Sequence, residues 1–174
     1  MDESAAEVVG AIRAAFPDAN PPRAAELTPD DLGGYYPFEA EELRTSLAGK
    51  NWTELTREFI DTHSDWLRYL TPEAFRYYLP AWLLYSVDWM RTDYAAQWIS
   101  NLLSGPPANE PIPDHYAGFF AIMNSDQRSV VLRWLIYLLS AYPDEDIGWL
   151  NQKGMSLEDV VYNWTARTTN GQHR

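Results

Sequence analysis

Four carboxylates recur at helical intervals in one stretch of the chain: Glu54, Glu58, Asp61 and Asp65, spaced by four, three and four residues. On a continuous helix they form one stripe. His63 falls among them, and carboxylate plus imidazole is a donor set that suits zinc, manganese or iron. The same periodicity argues against a metal, because on a straight helix His63 points with Phe59 and Trp66, away from Glu54, Glu58 and Asp61. The stripe then has two readings. It is either a solvated face ion-paired with Arg57 and Arg68, or a field of like charges that draws in a basic partner and weakens as salt rises. His63 itself reads as a core-edge side chain hydrogen-bonded to a neighbour.

Arg76 and Asp88 pose a second question, since both are charged and both lie in Leu70–Met90, the most apolar and aromatic stretch of the chain. A buried charge requires a partner. Each can face solvent or a salt bridge at a helix end; alternatively, the two line a pocket with Tyr77, Tyr78 or Tyr85, where a small polar ligand would sit. Catalytic signatures are missing from the rest. The chain has no cysteine, no Gly-x-Ser-x-Gly elbow and no glycine-rich phosphate loop, and its imidazoles are only His63, His115 and His173. No metal or cofactor is expected, no residue is assigned a catalytic role, and the sequence leans away from an enzyme.

Net charge bounds the partners. With 13 basic and 25 acidic residues the formal charge is −12, which opposes direct binding to nucleic acid or to an anionic membrane. A basic protein is the natural complement. The acidic start Met1-Asp2-Glu3-Ser4 does not resemble a signal peptide, and the absence of cysteine fits a reducing compartment, so a cytoplasmic location is expected. Eight Trp and eleven Tyr imply a core of large rings between helices, with some rings left at the surface for partners. The apolar run around Leu83 is too short, and too closely flanked by Arg76 and Asp88, to cross a membrane.

The elements that position these residues read as helices throughout. Thr71 caps a central helix with Pro72 at its first position, and Phe75, Tyr78, Leu79, Trp82 and Leu83 share one face. Pro80 has no amide for the carbonyl of Arg76, so a kink or boundary is expected at Leu79–Pro80. Before it, Ser4 and Glu7 form a capping box for a helix carrying Val8, Val9, Ile12 and Phe16. Residues 17–34 read as an extended loop with at most a turn at Thr28–Asp31, either mobile or pinned by Leu27 and Leu32. A helix from Pro37 uses Phe38, Leu43 and Leu47, ends at Gly49 and carries Glu39, Glu41 and Glu42 outward. Residues 52–70 read as one helical segment, with a restart possible at Ser64.

Further on, Asp93–Leu103 reads as a helix followed by a four-proline loop over 105–113, then a short helix over His115–Met123 that Gly118 weakens. Asn124 and Gln127 box the start of a long helix with Val131, Trp134, Leu135 and Leu138 inward, and this helix should pack on the central one. Asp144, Glu145 and Asp146 make an acidic corner. Ser156 caps a last helix with Leu157, Val160, Val161 and Trp164. The expected fold is all-α: a single-domain bundle of about seven or eight helices around a Pro-kinked central helix, over 1–167, with a frayed polar tail at 168–174.

The run LTPEAFRYYLPAWLL, preceded by WLRYL and followed by DQRSVVLRWLIYLLSAYP, resembles a bacterial family of unknown function with a central motif close to LTPEAFRYYLPA. That resemblance implies a bacterial source and a helical fold, and carries no activity onto any residue. Two functions follow. The first is an acidic protein–protein interaction module, of the kind of an immunity protein or antitoxin-like inhibitor, using Glu54, Glu58, Asp61 and Asp65. The second is a small-molecule-binding or enzymatic domain with a pocket at Arg76, Tyr77, Tyr78, Tyr85 and Asp88. Oligomeric state is left open.

Overall fold

A computed structural model describes residues 4–17, 19–30, 32–89, 99, 118–141 and 156–170, and these are helical with no strand among them. The helices are α1 (Ala5–Ala15), α2 (Ala24–Leu27), α3 (Leu32–Tyr35), α4 (Pro37–Leu47), α5 (Arg57–Thr62), α6 (Pro72–Trp89), α7 (Ser125–Ala141) and α8 (Leu157–Asn170), with 3-10 turns at Trp52–Glu54 and Trp66–Tyr69; residues 118–121, within the short helix expected before α7, are helical as well. Apart from Ile99, which is helical and buried, the helical segment expected at 93–103 lies outside the described residues, as do the proline loop and the acidic corner at 144–146.

α6 is the hub. α1, α2, α5, α7 and both 3-10 turns pack on it, while α7 is flanked by α1 and α8. Ala74, Phe75, Tyr78, Leu79, Trp82 and Leu83 are buried along its length and join Trp134, Leu135 and Leu138 of α7 in one core. Indole and phenol groups inside that core need partners. The Trp82 Nε1–H donates to the Ser64 carbonyl at 3.2 Å, and Trp164 Nε1–H to that of Arg128 at 3.0 Å. The Tyr78 hydroxyl lies 2.7 Å from the Leu47 carbonyl and 3.0 Å from that of Lys50, tying α6 to the end of α4. Aromatic bodies thus fill the core while their polar ends fasten the connecting segments.

Local capping follows the residue types. The Ser4 hydroxyl accepts from Glu7 N while Glu7 accepts from Ser4 N, Asn124 and Gln127 exchange the equivalent pair, and Ser156 with Asp159 does so at α8. Gly49 takes a φ of 70° after α4, a conformation in which a side chain would be strained. Thr71 Oγ1 accepts from Ala74 N at 3.2 Å and donates to the Glu26 carbonyl at 2.7 Å, so the cap of α6 also holds α2. The stretch 17–34, expected as a loop, contains α2 and the start of α3; Leu27 and Leu32 are fully buried and pin it.

One expectation on helix continuity is narrowed and another changes. α6 runs from Pro72 through Pro80 to Trp89, so the boundary considered at Leu79–Pro80 is absent. Residues 52–70 are not one helix but a 3-10 turn, α5 and a second 3-10 turn. The physical reason is local capping: Thr56 Oγ1 accepts from Phe59 N at 3.2 Å and opens α5 afresh, and Glu54 turns back to accept from Asn51 N at 2.7 Å.

Candidate functional site

Fragmentation of residues 52–70 dissolves the regular carboxylate stripe into separate local roles. Glu54 is occupied in the cap at Asn51. Asp61 accepts from the Tyr85 hydroxyl and pairs with Arg57 at 3.8 Å, which stacks 5.9 Å from the Tyr85 ring. Asp65 is half-buried, and burial, reinforced by Glu39, raises its carboxyl above the usual aspartate range. Glu58 is exposed.

His63 sits at the C-terminal end of α5 between two rings, 4.5 Å from Phe59 and 3.8 Å from Trp66. Its Nδ1 lies 2.7 Å from the Phe59 carbonyl, which can only accept, so Nδ1 carries the proton. The other nitrogen, Nε2, faces Glu42 Oε1 at 3.8 Å. Among the described residues no group of three or more His, Asp or Glu side chains is arranged to hold a metal.

Glu42 leads to the outer face of α4. Ala40, Leu43 and Leu47 are buried against the body, and Phe38, Glu41, Glu42 and Thr45 share the opposite, exposed face. Phe38 was expected to point inward with Leu43 and Leu47, yet it is 85% exposed. Five residues separate it from Leu43, about 140° around a helix, which carries it off the buried side. That offset is the sequence signal for an outward ring. Glu39 flanks the same face, and its charge acts on Asp65 of the neighbouring segment.

The five residues grouped around α6 do not share one cavity. Arg76 and Tyr77 line a groove of about 660 Å³ between α6 and the 19–26 segment, with Pro21, Pro22, Glu26 and Glu73 in its walls. Tyr78 is fully buried in the core. Tyr85 lines a different hollow of about 230 Å³, with Arg13, Trp52 and Arg57. The side chain of Asp88 lies outside the described residues. Glu73 was not singled out from sequence, because a glutamate in the first turn of a helix is so often only a complement to the helix dipole.

These features define an all-α domain with an acidic, aromatic outer face on α4 and a largely apolar groove edged by charges beside its central helix. The chain belongs to the family described as Family of unknown function (DUF6714), which matches residues 4–168. No curated protein and no solved structure matches the chain. Among the described residues no helix is long and apolar enough to cross a membrane.

Proposed function

We propose that this protein is a protein–protein interaction module that binds a basic protein through the outer face of α4. The observation that carries the proposal is Phe38, 85% exposed with Glu41 and Glu42 on the same face. Exposing a phenylalanine to water forgoes stabilisation of about 1.5–3 kcal/mol that burial of its ring would supply. An aromatic ring bordered by carboxylates suits an Arg- or Lys-bearing surface, where the cation pairs with the acids and its stem packs on the ring. The formal charge of −12 adds long-range steering toward the same partner. A bacterial cytoplasmic inhibitor of a basic protein, of immunity or antitoxin type, is the class that combines these features.

Capture from the source cell at low and high salt, with the wild type beside Phe38→Ala and the double variant Glu41→Lys/Glu42→Lys, tests the proposal. A basic protein retained by the wild type at low salt, released at high salt and lost by both variants is the expected result. Equal retention by all three proteins would place the contact elsewhere.

A further inference from the structure

Two opposite charges line the groove beside α6 without being paired to each other or to other described charges. Arg76 and Glu73 are both exposed, stand one helical turn apart, and line the same hollow of about 660 Å³. The described ion pairs are Arg23–Glu26, Arg57–Asp61 and His63–Glu42, so neither Arg76 nor Glu73 is among them. Among the described residues, the hydrogen bond of the Arg76 guanidinium is a long one, 3.5 Å to the Ile122 carbonyl. The guanidinium has five donors and the residue is exposed, standing between this groove and a neighbouring hollow of about 260 Å³ lined by Ala15, Phe16, Asn124 and Gln127.

The remaining charges in the groove cancel. Arg23 Nε donates to Glu26 Oε1 at 2.9 Å, closing that pair on itself. Between the charged groups the walls are mostly apolar, formed by Ala19, the rings of Pro21 and Pro22 and the body of Tyr77, with Asn20 and Thr71 as the polar exceptions. Their geometry is held from outside the groove. The Tyr77 hydroxyl lies 3.0 Å from the Ala19 carbonyl and 2.8 Å from Asn51 Oδ1, and the Thr71 cap fixes α2 to the first turn of α6. Both faces of the hollow are thereby set before any ligand arrives, which lowers the cost of binding.

From this arrangement we infer that the groove binds a zwitterionic small molecule with an apolar body, of the chemical class of an α-amino acid bearing an aliphatic or aromatic side chain. Arg76 receives the carboxylate, Glu73 the ammonium, and Pro21, Pro22 and Tyr77 cover the side chain. A simple anion would gain Arg76 but meet Glu73, and a simple cation the reverse; only a ligand with both charges satisfies both groups. The site shares no side chain with the outer face of α4, so it stands or falls apart from the partner-binding proposal.

Calorimetric or NMR titration of the full chain with L-leucine and L-phenylalanine, beside hydrocinnamate and phenethylamine, tests the inference. Saturable binding of an amino acid is expected, with each singly charged analogue at least about tenfold weaker. Arg76→Gln should weaken the amino acid and hydrocinnamate while sparing phenethylamine; Glu73→Gln should weaken the amino acid and phenethylamine while sparing hydrocinnamate. Both residues are exposed, and circular dichroism checks that the variants fold. Should a variant not fold, the analogue series on the wild type decides alone. No binding of either amino acid at about 10 mM, or analogues that bind as tightly as the zwitterions, would overturn the assignment.

Discussion

The indole Nε1–H of Trp134 donates to the hydroxyl of Ser86 at 3.0 Å, joining α7 to α6 where both residues are fully buried. Ser86 in turn donates its O–H to the Leu83 carbonyl at 2.9 Å, so one small side chain satisfies a large ring from the next helix. Ser86→Ala leaves the indole N–H without an acceptor inside the core. The expected loss is about 1–3 kcal/mol in urea titration. A loss below about 0.5 kcal/mol would mean that the bond contributes little to holding the two helices together.

Trp82 offers a volume test of the same core. It is fully buried on α6 with its N–H on the Ser64 carbonyl. Trp82→Ala removes the ring and strands that carbonyl, so destabilisation of about 3–5 kcal/mol is expected in the same titration. Near-wild-type stability would contradict an enclosed ring.

Gly118 explains its own presence. A Cβ built on it would lie 2.5 Å from Cγ of Pro72, the first residue of α6, and the next residue, Phe119, stacks on Phe75 with ring centroids 4.1 Å apart. Gly118→Ala should therefore lower stability by about 1–3 kcal/mol in thermal or urea unfolding, although alanine is the better helix former. A stabilised variant would show that the Pro72 ring yields without cost.

Where the polar signals are local, sequence and structure agree: the boxes at Ser4–Glu7 and Asn124–Gln127, the Thr71 cap and Gly49 all need only a few neighbouring residues. Residues 52–70 show the limit of periodicity. Their apolar spacing suits one helix, but the Thr56 hydroxyl and the Glu54 carboxylate offer backbone amides closer partners and divide it. The groove lay beyond periodicity altogether, because its far wall is placed by a bond between Tyr77 and Ala19, 58 residues apart. Gly118 likewise read as a weakness in a helix, since the Pro72 ring that requires it is remote in the chain.

Tyr69 predicts alkaline behaviour. Burial pushes its phenol up to about 12, and burial moves Tyr78 in the same direction. A raised value in the folded state means that the contribution of the neutral phenol is whole below pH 10.0 and is lost as pH rises from there toward 12. Tyr69→Phe cannot ionise, so its stability should fall less steeply than the wild type's between those limits. Parallel pH profiles in denaturant titration would show that Tyr69 ionises alike in both states.

Asp65 gives the opposite charge balance at lower pH. Burial is the largest influence on its carboxyl and Glu39 acts the same way, while a hydrogen bond from its own backbone amide, then Arg68 and His63, only partly offset them, so the folded state holds the proton more tightly than the ordinary value of 3.8. The favourable contribution of that bound proton is complete below the unfolded value and is lost as pH rises through the folded one. At neutral pH the ionised Asp65 therefore works against the fold. Asp65→Asn keeps the shape without the charge and should be more stable at pH 7 by only a few tenths of a kcal/mol, because the group is partly solvated. The advantage should shrink toward zero near pH 3, where the wild-type carboxyl is protonated in both states. Urea titrations at the two pH values decide the matter: a variant less stable at pH 7 would mean that the backbone hydrogen bond and the attraction of Arg68 outweigh the desolvation of Asp65.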